Sequence, residues 1–81
     1  ASVDSGTGTN SIVVKGNTAT TTANGQDATA IGTGAKADNQ SSFAAGTNAK
    51  ATNNNAVSIG TNSTASGPTS TAVGQGTVAS H

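Results

Sequence analysis

Few residues in this chain could do chemistry, and their spacing argues against it. His81 is the only histidine, and there is no cysteine or glutamate. A metal site or a general base needs partners of suitable type, and His81 has none near it in sequence, so it reads as a solvated turn residue. Asp4, Asp27 and Asp38 never pair in sequence, so no two carboxylates are set to share acid and base work. Gly32-Thr33-Gly34 and Gly74-Gln75-Gly76 look superficially like phosphate-binding loops. Neither carries the lysine or the following helix that such loops need, so both read as turns. Calcium-binding β-rolls use aspartate-rich nonapeptides, and this chain has neither that period nor that aspartate content. The expectation is a protein that is not an enzyme and holds no cofactor or metal.

Charge and composition narrow the class further. Lys15, Lys36 and Lys50 balance the three aspartates. With no basic stripe to hold phosphates and one aromatic residue, Phe43, nucleic acid is not an expected partner. No apolar run approaches membrane-spanning length and no signal peptide is visible, so direct membrane insertion by this segment is not expected. Ala, Thr, Gly, Ser and Asn make up 60 of the 81 residues, against three Ile, six Val and the single Phe. So few large apolar side chains cannot repay the ordering of a lone globular monomer. Either the chain is disordered, or its small residues are buried in a repetitive array that other copies complete.

A period decides between these. Gly32, Gly46, Gly60 and Gly74 stand 14 residues apart. Two residues after them come Gly34, Asn48, Asn62 and Gly76; five after them come Ala37, Ala51, Ala65 and Ala79. Gly and Asn tolerate positive φ, so the two columns mark one tight turn of fixed shape. A second turn is signalled seven residues after each glycine, at Asn39, Asn53, Gly67 and His81. Two turns in 14 residues leave room only for short strands, since helical repeats need over 30 residues.

Alternation before each glycine supports strands. Ile31, Phe43, Val57, Ile59 and Val73 belong to the larger set, one or three residues before a glycine. Ala28, Ala30, Ser42, Ala44, Ala56, Ser58, Ser70 and Ala72, two or four before, are all small. The fold expected is all-β: a β-roll of about 14-residue coils stacked at about 4.8 Å, the spacing of hydrogen-bonded strands. Large residues packed against small ones interdigitate, so the expected roll core is Ile31, Phe43, Val57, Ile59 and Val73 against Ala37, Ala51, Ala65 and Ala79. The uniformly small column would then form a flat face that another chain could approach closely, an expected subunit interface, although alternation alone also allows the two faces to be exchanged. Lys36 and Lys50 should stand side by side on adjacent coils.

Residues 28–81 keep this register. Residues 10–27 read as a degenerate first coil, since Gly16 precedes Gly32 by sixteen residues, a length change of two. Asn10 to Val14 looks like another repeat strand, Thr18 to Thr22 is a β-branched run, and Asn24-Gly25 signals a turn. Residues 1–9 read as an irregular tail.

The stretch Ala56-Val-Ser-Ile-Gly-Thr-Asn-Ser-Thr-Ala-Ser-Gly67, with Ala28-Thr-Ala-Ile-Gly-Thr-Gly-Ala-Lys-Ala37, resembles the YadA-like head repeat of trimeric autotransporter adhesins. Departures are Ala45 for the usual Ile, Phe43 for the usual Val, and Lys15 where the first coil should carry its glycine. The resemblance implies a left-handed parallel β-roll, two identical partner chains completing a homotrimer, and display from a bacterial outer membrane on a stalk. It also implies a host matrix protein or cell-surface receptor as ligand, with attachment by many weak contacts multiplied through avidity. The alternatives weighed are a non-binding spacer of the same appendage and an ice-binding solenoid suggested by the Thr33, Thr47 and Thr61 column. The last needs at least two regular threonine columns, and the neighbouring columns vary.

Overall fold

Each repeat folds into one coil: a three-residue strand, a turn, a two-residue strand and a second turn. The computed structural model describes residues 2–15 and 20–80, with no helix among them. Gly16, Thr18 and His81 lie outside the described residues. The strands are β1 (Ser2–Ser5), β2 (Ile12–Lys15), β3 (Thr22–Ala23), β4 (Thr29–Ile31), β5 (Lys36–Ala37) and β6 (Phe43–Ala45), followed by β7 (Lys50–Ala51), β8 (Val57–Ile59), β9 (Thr64–Ala65), β10 (Thr71–Val73) and β11 (Val78–Ala79). One sheet has the order β1-β2-β4-β6-β8-β10, and the other β11-β9-β7-β5-β3. Pairing is parallel between coils, with Phe43 between Thr29 and Val57, and Lys50 between Lys36 and Thr64. The chain is an all-β parallel solenoid of about five turns with 14-residue coils, as the glycine spacing requires.

The first turn is built as its residue types demand. Gly32, Gly46, Gly60 and Gly74 have φ from +112° to +126°, and Gly34, Asn48, Asn62 and Gly76 are left-handed at +61° to +75°. A β-carbon on Gly60 would meet the Gly74 carbonyl carbon at 2.7 Å, so stacking as well as φ demands glycine there. The second turn bends at Asn39, Asn53 and Gly67, but its left-handed residue comes two later, at Ser41, Asn55 and Thr69. Turns stack on turns through main-chain bonds: Gly60 N–H donates to Ala45 O at 2.8 Å, and Asn55 N–H to Gln40 O at 2.9 Å. Those bonds carry the ladder through the corners of each coil.

The interior reverses one expectation. Ala28, Ala30, Ala44 and Ala56 are wholly buried within the single chain, as are Ser42, Ser58 and Ser70 to within 1%, while Ala72 is 3% exposed. They face Ala35, Ala37, Ala49, Ala51, Ser63 and Ala65 of the second sheet, also buried. Ala79, at the last coil, is half-buried against this cluster. The expected subunit interface is therefore the roll core. Ile31, Phe43, Val57, Ile59 and Val73, expected inside, point outward; Ile31 and Ile59 are 38% and 39% exposed and Val73 61%. Only the Ala37, Ala51 and Ala65 part of the expected core is in place. The reason is volume. Sheets joined by turns this short lie so close that the Cα envelope is only 12 Å across its thinnest direction. The largest fully buried side chains are serines. Each buried hydroxyl needs a partner: Ser42 Oγ donates to Asn39 O and Ser70 Oγ to Gly67 O, both at 2.6 Å.

The amino-terminal region needs two corrections. Residues 2–5 are not an irregular tail but a strand, β1, antiparallel to β2 with Val3 opposite Val14 and Ser5 opposite Ile12. In the first coil, Ile12 pairs with Thr29, 17 residues on, while Thr22 pairs with Lys36, 14 on. The length change is thus three residues, not two, and lies between β2 and β3. Val14 opposite Ile31 places Lys15 in the glycine column.

Candidate functional site: two outer faces

Because the regular coils take only small side chains inside, Ile31, Phe43, Val57, Ile59 and Val73 are displayed, while Val13 in the first coil is a large residue kept inside, and the two sheets display different chemistry. On the outside of the longer sheet, two columns run up the stack. One is Ser5, Ile12, Thr29, Phe43, Val57 and Thr71; the other is Val3, Val14, Ile31, Ala45, Ile59 and Val73. Neither column contains a charge. Val3, Ile12, Ile31, Ile59 and Val73 are all substantially exposed. Uninterrupted, uncharged columns of this kind are characteristic of interaction surfaces.

The outside of the second sheet is polar. Thr22, Lys36, Lys50, Thr64 and Val78 form its column. Lys36 and Lys50 are direct cross-strand neighbours, as the spacing predicts, and both are exposed. Beside them, Asn24 Nδ2 donates to Asp38 Oδ1 at 3.2 Å. At the second turn, Asn39 and Asn53 donate to Thr52 O and Ser66 O of the next coil, both at 3.2 Å, forming a short amide ladder. Like charges stacked on a strand face discourage further sheet pairing there.

At the amino-terminal end, Asp4 and Lys15 lie on the interior side of their strands and form an ion pair at 3.8 Å. A shallow hollow opens beside them, lined also by Val13, Thr21 and Thr22. Thr21 Oγ1 is committed to Gly32 O at 2.6 Å. Among the described residues no three His, Cys, Asp or Glu side chains come together, and no helix is long and apolar enough to cross a membrane.

Sequence reasoning identified the members of the apolar set from Ile31 to Val73 but placed them inside. It missed that Val3, Ile12 and Val14 extend the ladder; the Ile-Val-Val run was the available signal.

A stacked parallel solenoid with a small-residue interior and an apolar outer ladder defines a structural repeat protein. Models of the YadA head domain repeat match residues 23–49, 37–63, 51–77 and 65–81, and the chain belongs to that family. It is a structural and adhesion family, not an enzymatic one. No curated protein and no solved structure matches the chain.

Proposed function

We propose that this chain is a segment of the head of a bacterial surface adhesin, in which three identical chains stand side by side around a common axis. The observation that carries it is the uncharged ladder from Val3 to Val73 on one sheet, set against the polar, lysine-bearing face of the other. Covering the ladder with sister chains removes its apolar surface from water and leaves the polar faces and turns outward. Family membership supports both the number three and display from the outer membrane as part of a trimeric autotransporter adhesin. Identical polar faces around such a rod would present weak contacts many times over to host cells or matrix proteins.

Sedimentation equilibrium tests the assembly. The wild-type chain should run as a trimer, and Ile59→Asp should shift it toward monomer by placing a charge in the ladder. Binding of the trimer to immobilised matrix protein, above a scrambled-sequence control, tests attachment. A second reading, a non-binding spacer, is favoured by the lack of aromatic or arginine anchors on the polar face. Removing one 14-residue coil separates the two: a spacer shortens without loss of attachment by the parent protein.

A further inference from the structure

A repeated ladder has an alignment problem. If every coil presented the same pair of side chains, two copies could slide past one another by one coil, about 4.8 Å, and lose little contact. Most rungs here are near-equivalent, as Val57/Ile59, Thr29/Ile31 and Thr71/Val73 show. One rung is not. Ala45 interrupts a column that otherwise reads Val3, Val14, Ile31, Ile59 and Val73, leaving a notch between two isoleucines. On the same strand, Phe43 puts the chain's only aromatic ring into the neighbouring column, between Thr29 and Val57.

We propose that the Phe43–Ala45 rung sets the axial register between copies of this chain, the Phe43 ring of one filling the Ala45 notch of the next. The inference rests on the trimer reading and adds to it the residue pair that selects one alignment. In a closed ring of three, contacts are heterologous, so one column of a chain meets the other column of its neighbour. At equal height, large meets small at this rung while total volume stays close to that of the Val57/Ile59 rung. Slipped by one coil, Phe43 faces Ile31 or Ile59 and overpacks, while Ala45 faces Thr29 or Val57 across a void. Both errors occur together, so a one-coil slip in either direction is rejected. The departures from the repeat at 43 and 45 thus act as a matched pair.

Disulfide trapping tests this, because the chain has no cysteine of its own. Residues two apart on one strand stand about 6.6 Å apart, and their β-carbons are too far separated for a bridge within a chain. Thr71→Cys/Val73→Cys, which leaves Phe43 and Ala45 in place, should therefore give covalent trimers under mild oxidation. Thr71→Cys/Ile59→Cys and Val57→Cys/Val73→Cys, which report a one-coil slip in either direction, should cross-link at least fivefold less. With uncrosslinked wild-type assembly as reference, Ala45→Ile should weaken association tenfold or more, and adding Phe43→Val should restore it. A wild-type trimer whose variants cross-link 71 to 59, or 57 to 73, as well as 71 to 73 overturns the register assignment alone. A wild-type monomer removes the trimer reading, and this inference with it.

Discussion

The two sides of a single strand make the most instructive comparison in this molecule. In β8, Ser58 is fully buried while its neighbours Val57 and Ile59 face out; in β6, Ala44 is buried between Phe43 and Ala45. The larger and more apolar residues are on the outside. Hydrophobicity ordinarily drives such residues inward, but here the space between sheets is set first, by turns of fixed length and by main-chain bonding through the corners. What fits decides what is buried. The apolar surface left outside is what the proposed assembly would cover, and such covering would tie the chain's stability to its oligomeric state.

Enlarging an interior residue should break this arrangement most severely. Ala44→Leu adds three carbons where the sheets leave no room, and we expect loss of the β circular dichroism signal or a melting temperature lowered by well over 10 °C. Overpacking costs of about 1–3 kcal/mol in ordinary cores are a lower bound for so thin a roll.

The turns give the next contrast. Gly60→Ala forces an alanine to φ +126° and drives its β-carbon into the Gly74 backbone, with an expected cost of about 1–3 kcal/mol. Gly76→Asn places a residue that tolerates φ +69° where nothing lies within 4 Å, and should shift the thermal midpoint very little. Equal effects of the two would show that stacking is not what demands glycine.

Interior hydroxyls sharpen the size argument. Ser58 Oγ and Ser63 Oγ lie 2.6 Å apart, and Ser63 Oγ also contacts Gly60 O at 2.9 Å. Ser63→Ala alone strands the Ser58 hydroxyl and should cost about 1 kcal/mol in a denaturant melt. Ser58→Ala/Ser63→Ala recreates the Ala44/Ala49 pair of the preceding coil and should cost less than the single change. The smallest effect belongs to the polar face, where Lys50→Glu turns a like-charged cross-strand pair with Lys36 into an opposite one. It should stabilise by about 0.2–1 kcal/mol at low salt, fading as salt is added.

Much of this was legible before any coordinates. The glycine spacing determined the coil length, the Gly/Asn columns the left-handed corner at Asn48 and Asn62, and alternation the existence of short strands around Ala44 and Ser58. The lack of paired carboxylates or histidine partners pointed away from catalysis. Those features are local: each depends on the conformational limits of one or two residues, repeated. Alternation shows that a strand has two faces but does not say which lies inside. That followed only from the distance between the sheets, which admits a serine and excludes an isoleucine. The antiparallel strand at Ser2–Ser5 and the three added residues between β2 and β3 were likewise settled by pairing across the fold, where no periodic signal operates. Sequence determined the rung; only the closed coil decided which way its side chains turn, because that is a question of volume shared between two strands.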